Sequence, residues 1–443
     1  MKRLLYLILL APLYLNAQNI TTVAGNGFQA TSGNGGPATN ASIDAPIAVS
    51  TDGSGNFYLI DGARCLIRKV NSSGIITHFA GRAACFSDTA GLSSGDGGPA
   101  TAASFNMPSG MVVDATRKVY IADQGNRRVR MINTAGNIVT IAGTGAIGGP
   151  AGDGGPATNA HLLPTDVVTD AAGNLYIADK VQNGVRRVDA ATGIITTIAG
   201  TGALGASGDN GPATAATLDP SGMAIDTHGN IYVVNGNSVV RKIDIASGII
   251  TKVAGNYSIG RTGDGGPATA AGFDHIADIA VDTAGNMYIA DMNNNVIRKV
   301  NTAGIISCYA GNYTAGYSGD GGPANAAKLY NPITVAMDVT NGLLIGDLSN
   351  HRIRKVGGFS LSVATLSLNG AITLFPNPAT AQLNVASVAD KIETATITDL
   401  TGRVVFSENY IATAQIQINL SDLVPGIYFL RLNNLENFKF VKQ

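Results

Sequence analysis

Gly95-Asp96-Gly97-Gly98-Pro99-Ala100-Thr101 is one of six near-copies of a single loop. The others begin Gly33-Asn34-Gly35-Gly36-Pro37, Gly152-Asp153-Gly154-Gly155-Pro156, Gly208-Asp209-Asn210-Gly211-Pro212, Gly263-Asp264-Gly265-Gly266-Pro267 and Gly319-Asp320-Gly321-Gly322-Pro323. Their prolines stand at 37, 99, 156, 212, 267 and 323, so one structural unit repeats six times. A fixed period of this size marks a repeat architecture. Within the loop, glycine supplies the positive φ angles of a tight reversal. Proline suits the first position of a helical turn, where a missing N–H costs nothing. The Ala-rich residues behind it fit a short turn of helix. The loop Asp reads as a cap for backbone N–H groups, since one carboxylate per loop is too few oxygens for calcium.

Four short apolar runs recur between successive loops. The first closes in Asp, as in Met111-Val112-Val113-Asp114 or Ile279-Ala280-Val281-Asp282, and the second closes in Asp nine residues later, as in Tyr120-Ile121-Ala122-Asp123. Asp170-Ala171-Ala172-Gly173-Asn174 is typical of the turn between them and reads as a hairpin. The third run carries a basic pair, as in Val296-Ile297-Arg298-Lys299-Val300, and the fourth reads Gly193-Ile194-Ile195-Thr196-Thr197-Ile198-Ala199-Gly200. Several runs are apolar throughout rather than alternating, so both faces of each sheet are expected to be covered. Six four-stranded sheets arranged radially satisfy this, and the fold class is all-β: a six-bladed β-propeller. The chain also supplies its own closure. Ile20-Thr21-Thr22-Val23-Ala24-Gly25 is a fourth-type run with no partners before it, and Ile353-Arg354-Lys355-Val356 a third-type run with no fourth after it. Residues 20–24 are expected to complete the last blade.

Composition narrows the function. The 443 residues carry a net charge of −1 and no basic run, which disfavours a nucleic-acid partner. Residues 1–17 read as a signal peptide: Lys2-Arg3, an apolar core from Leu4 to Leu15, and a cleavage site at Ala17. No later stretch is apolar for long enough to span a bilayer in the mature chain. Of three cysteines, Cys65 and Cys85 are a possible disulfide in blade 1, and Cys308 is expected to be unpaired.

Asn350-His351-Arg352-Ile353-Arg354-Lys355, together with the Tyr-Ile-Ala-Asp and Gly-Ile-Ile-Thr-Thr-Ile-Ala-Gly runs, resembles the NHL-repeat propellers over residues 18–357. That resemblance implies a binding scaffold more often than an enzyme. Residues 358–370 read as a linker. Residues 371–443 differ in composition and hold all three glutamates of the chain. Leu374-Phe375-Pro376-Asn377-Pro378, Ile397-Thr398-Asp399-Leu400-Thr401-Gly402-Arg403 and the terminal Phe440-Val441-Lys442-Gln443 resemble the C-terminal sorting domain of type IX secretion substrates, an Ig-like β-sandwich. This resemblance implies the type IX machinery as a partner and a secreted or outer-membrane surface location in a Gram-negative bacterium.

The propeller region has no glutamate, which removes most carboxylate-pair chemistry and the glutamate ligand expected of gluconolactonase-like propellers. The five histidines fall at five different registers, so no metal site or cofactor is expected. Asp61, Asp123, Asp179, Asp291 and Asp347 (Asn235 in blade 4), with Arg68, Arg130, Arg186, Arg298 and Arg354 seven positions on, recur in the copies and read as blade-building residues. Function is sought where the copies differ, on the face bearing the Gly-Asp-Gly-Gly loops. There the loop after blade 1 is lengthened over residues 82–93. The loops entering blades 5 and 6 carry Tyr257, Arg261, Tyr313 and Tyr317, and Asp166 and Asp278 replace glycine near the start of two inner strands, the latter close to His275. These seven residues are the candidate ligand-binding set. The expected function is a secreted or surface binding scaffold, not an enzyme, recognising an extracellular protein or glycan. The alternative is a propeller hydrolase or lyase with an Asp-based site.

Overall fold

The computed structural model describes residues 18–82, 95–149, 151–357, 372–387, 392–399, 403–433 and 437–442. The proposed signal peptide, residues 83–93 of the lengthened loop and the linker lie outside them. The chain forms two compact units, Met1–Gly358 and Phe359–Gln443.

In the first unit each repeat is one antiparallel sheet of four strands, to which blade 4 adds the two-residue strand Gly211–Pro212 outside its outer strand. Blade 2 shows the pattern, with an inner strand Pro108–Val113 followed outward by Val119–Asp123, Arg128–Ile132 and Ile138–Ala142. The Asp after each inner strand folds the hairpin turn through its side chain. Asp170 Oδ1 accepts the N–H groups of Ala172 and Asn174 at 3.0 and 2.9 Å, and Oδ2 accepts the Asn174 amide at 2.7 Å. Second strands such as Val119–Asp123, Leu175–Asp179 and Met287–Asp291 are buried at every residue, which is why their sequences do not alternate. Neighbouring blades share their cores. Tyr58, Ile60 and Ile67 of blade 1 pack with Phe105, Met111 and Ile121 of blade 2.

The ring closes as the termini of the repeat array require. Ile20–Ala24 pairs antiparallel with Arg352–Val356, placing Thr22 opposite Arg354 and making the fourth strand of blade 6. Leu344 and Ile353 of blade 6 then pack with Ile43, Val49 and Leu59 of blade 1.

Each Gly-Asp-Gly-Gly loop runs beside the outer strand of the blade it enters. Gly97 N donates to Ile138 O at 2.8 Å and Ile138 N returns to Gly98 O at 3.0 Å. Gly97 takes φ +83° here, a conformation that favours glycine. One turn of 3-10 helix follows, Ala100–Ala102, with Pro99 as the residue before it rather than its first member. The buried Ala100 accepts Gly81 N at 3.0 Å, joining the loop to the preceding outer strand.

The second unit is a β-sandwich. One sheet holds Ile372–Phe375, Gln382–Ser387 and Gln415–Asn419; the other holds Val404–Thr413, Ile392–Thr398, Gly426–Leu432 and Asn437–Lys442. Leu383, Val385 and Ile418 face Ile397, Leu430 and Phe440 in one core.

Candidate functional site

The loop face is held from below by six arginines. Arg68, Arg130, Arg186, Arg241, Arg298 and Arg354 stand on the third strands and are fully buried. Arg298 shows what each does: Nη1 donates to Gly272 O at 2.7 Å, and Nη2 to Thr262 O at 2.9 Å and to Asp264 Oδ1 at 2.8 Å. One guanidinium thus ties both ends of the loop and its Asp. The loop Asp is this arginine's partner, and the sequence-based reading of a cap on local N–H groups is corrected accordingly. Asp291 lies 3.8 Å from the same guanidinium and accepts Asp274 N at 2.9 Å, fixing the chain as it enters the inner strand. Burial outweighs the nearby guanidinium and pushes Asp291 up to about 7, and Asp61, Asp123 and Asp347 to about 6. Arg241 carries the same role in blade 4, where Asn235 replaces the second-strand Asp and still accepts Asp219 N at 3.0 Å.

The six inner strands line a central channel of about 520 Å³. At one level of it stand Ala48, Gly110, Asp166, Gly222, Asp278 and Thr334. Bulges in the inner strands free the next N–H group from its ladder, between Pro220 and Met223 for instance. Asp166 accepts Val167 N at 2.8 Å and, across the seam to blade 4, Met223 N at 2.7 Å. Asp278 accepts Ile279 N at 2.8 Å and, across the seam to blade 6, Val335 N at 3.0 Å and Thr334 Oγ1 at 2.9 Å. A Cβ on Gly110 would collide with Asp166, and one on Gly222 would come within 3.2 Å of Asp278. Glycine and aspartate therefore alternate for reasons of space. Burial raises both carboxyls, Asp278 to about 6, and the charge of Asp278 raises Asp166 further. Among the described residues no group of three His, Cys, Asp or Glu could hold a metal ion.

The loops entering blades 5 and 6 carry Tyr257, Arg261 and Tyr313, and bring Arg261 against the Tyr313 ring. Tyr257 and Tyr313 have φ of +67° and +64°, the left-handed region, where the equivalent positions of three other loops are Gly27, Gly145 and Gly202. The Tyr257 hydroxyl donates to Ala206 O at 3.4 Å, and Lys252 Nζ lies 5.2 Å from its ring centroid. The Tyr313 hydroxyl donates to Asp264 Oδ2 at 2.7 Å, and Arg261 lies 5.6 Å from its ring. Tyr257 keeps 48% of its surface exposed. Tyr317 stands apart on blade 6, with Arg352 3.8 Å from its ring and its hydroxyl on Asp320 at 2.8 Å. His275 lies at the channel rim, exposed at φ +65°, a conformation it shares with its equivalents Ala45, Met107 and Asn331. The seven candidates thus fall into three places: loop, rim and channel. Lys252 and Arg352 were not among them, although Arg352 stands in the Asn-His-Arg-Ile-Arg-Lys segment. Cys65 is disulfide-bonded, Cys308 is a free cysteine, and Cys85 lies outside the described residues.

Residues 373–443 match the secretion system C-terminal sorting domain. Over 386 residues the chain is 30% identical to teneurin-1 of Gallus gallus, covering 76% of this chain and 13% of that protein. It is 27% identical to teneurin-1 of Homo sapiens over 382 residues, again spanning 13% of the relative's length. Among solved structures, a protein of unknown function from Bacteroides thetaiotaomicron superposes with a TM-score of 0.56 at 19% identity, covering 77% of this chain and 76% of that one. An auxiliary nutrient binding protein from Bacteroides ovatus gives 0.55 at 16%, covering 76% of each. At such identities the likeness shows the fold. The repeats form an NHL-type propeller, and the C-terminal unit is a type IX sorting domain, which directs export to the cell surface or the extracellular space.

Proposed function

We propose that this protein is an exported binding protein that takes an extracellular glycan or protein partner on its loop face, over blades 4 to 6. One observation carries this reading: two tyrosines are held in left-handed backbone at a position that other copies give to glycine. Such a conformation costs on the order of 1–3 kcal/mol for a residue with a side chain, and strain of this kind clusters at functional sites. Tyrosines fixed by hydroxyl bonds and neighbouring cations, Tyr257 half exposed and Tyr313 partly so, are suitable anchors, since aromatic residues dominate the energetics of many interfaces. The fold shared with an auxiliary nutrient binding protein supports a binding role without identifying a ligand. Probing the purified chain against arrayed glycans and extracellular proteins tests the reading. A partner whose affinity is indifferent to Tyr257 and Tyr313 would move the site elsewhere.

The channel carboxylates favour a second reading, a hydrolase or lyase working through Asp166 and Asp278. Their raised protonation suits acid–base chemistry, but main-chain N–H groups already occupy their oxygens on both sides. Turnover of lactone or glycan substrates that disappears in Asp166→Asn, with the fold intact, would establish it.

A further inference from the structure

Resting on the loop-face reading, we infer that the partner is a linear polysaccharide held by two tyrosine subsites at the same register of adjacent loops. Tyr257 and Tyr313 are the same residue one repeat apart, in the same left-handed backbone conformation. Each follows a Gly-Asn pair. The asparagine amide donates to the last carbonyl of the 3-10 turn, Asn256 to Ala270 at 2.8 Å and Asn312 to Ala326 at 3.2 Å. Its Oδ1 accepts the N–H two residues on, from Ser258 at 2.9 Å and from Thr314 at 3.1 Å. Each tyrosine hydroxyl then reaches back over the preceding loop, to Ala206 in one case and Asp264 in the other. Each ring has one cation against it, from different registers of the repeat: Lys252 from the outer strand before the Tyr257 loop, and Arg261 from the loop before that of Tyr313.

The hydroxyl bonds and neighbouring cations, different in partner at the two rings, hold both before any partner arrives, so little side-chain entropy is lost on binding. The two subsites are linked directly, because Arg261 leaves the Tyr257 loop to reach the Tyr313 ring. A partner that uses both subsites in the same way must present the same group twice, at a regular spacing. A polymer of identical sugars does so by construction, offering flat C–H faces to aromatic rings and hydroxyls to Arg261 and the loop carbonyls. A folded protein surface has no reason to repeat. Two linked weak subsites gain affinity steeply once a single chain spans both, because the second contact is intramolecular.

The test is retardation of the purified full chain in native gels containing laminarin, xylan, pullulan or polygalacturonate. Calorimetry follows, with oligosaccharides of the retained polymer from disaccharide to octasaccharide. We expect at least one polymer to retard the chain, with affinity rising by about tenfold or more along the series. Tyr257→Gly and Tyr313→Gly, chosen to suit the left-handed backbone, should each reduce the octasaccharide to the affinity of the disaccharide, and the double variant should not bind, with melting temperatures confirming the fold. Retardation by none of the four polymers overturns the polysaccharide, as does affinity independent of length. If, in that event, a photo-crosslinker replacing Ile259 joins the chain to one defined extracellular protein, and Tyr257→Gly abolishes the product, the loop-face reading stands alone. Polysaccharide binding that survives the double variant overturns both.

Discussion

The buried arginines and the loop tyrosines occupy the same repeat and have opposite histories within it. Arginine stands at the same place in all six blades and is sealed from solvent. The left-handed tyrosine stands in two loops only, and glycine takes its place in three others. A residue repeated six times is doing something every blade needs, here binding loop to sheet. A residue present in two copies, in a conformation it disfavours, is not required by the blade. Their partners differ in the same way. Each arginine keeps at least one carboxylate: Arg68 has Asp61 where its loop offers Asn34, and Arg241 has Asp209 where its second strand offers Asn235. The buried guanidinium thus does without one acid in two blades, and in no blade does it lack both.

The largest effect should come from removing the closure on which all six blades depend. Deleting residues 20–24 strips the buried Ile20 and Ala24 from the ring and leaves an unpaired edge on blade 6. Against a typical total stability of about 5–15 kcal/mol, that loss should leave no cooperative unfolding transition for the propeller. A deletion variant with a wild-type melt by circular dichroism would show that the ring holds without its seam.

Next in size are the arginines. Arg130→Ala should cost about 3–5 kcal/mol in urea unfolding, because it abandons the buried Asp123 and half-exposed Asp96. Asp123→Asn should cost far less, about 1 kcal/mol, since blade 4 already works with Asn235 at that place. Equal losses from the two variants would mean that the carboxylate, not the guanidinium, secures the loop.

How these groups pair was only partly legible in the sequence. Recurrence located the blades, the closing strand and, outside blade 4, both partners of each staple. It could not say which Asp an arginine meets, because every member recurs in the same phase. Loop Asp264 lies 34 residues before Arg298, a separation at which nothing local in the sequence points to the pair. Arg241 escapes the pattern because the Asp-to-Arg spacing of the other blades fails at Asn235. Asp166 and Asp278 were visible as departures from glycine. Their role was not, because the N–H groups they bind are freed by bulges that leave no trace in composition.

The same staples set a pH dependence of intermediate size. Asp61, Asp123 and Asp347 titrate at about 6 in the folded chain and Asp291 at about 7, all above the unfolded value near 3.9. The folded state therefore binds more protons between about pH 4 and 7, and their stabilising contribution is full below the unfolded value and lost as pH rises through 6 to 7. Asp52, Asp226, Asp320 and Asp338 are held below their usual range by hydrogen bonds despite partial burial, and they act in the opposite sense at more acid pH. Urea midpoints should rise from pH 8 to about 5 and fall again below about 4. A flat profile between 8 and 5 would mean that the guanidinium, not burial, sets these carboxyls.

The smallest effect bears most directly on function. If left-handed backbone is a real cost at position 257, glycine should relieve it and alanine should not. Both substitutions remove the ring, its contact with Lys252 and the 3.4 Å hydroxyl bond. Glycine alone then removes the steric conflict between Cβ and backbone, worth roughly 1–2 kcal/mol, against an unfolded-state entropy penalty of about 0.5–1 kcal/mol. Tyr257→Gly should thus be more stable than Tyr257→Ala by about 1 kcal/mol and close to, or above, the parent chain. At position 313 the same difference between glycine and alanine should appear on a lower baseline, because both lose a 2.7 Å bond to a carboxylate. Paired urea titrations of the four variants measure the difference directly. If alanine and glycine prove equal at both positions, no strain is stored there, and the reason for placing a ligand on these two loops rather than the other four is gone.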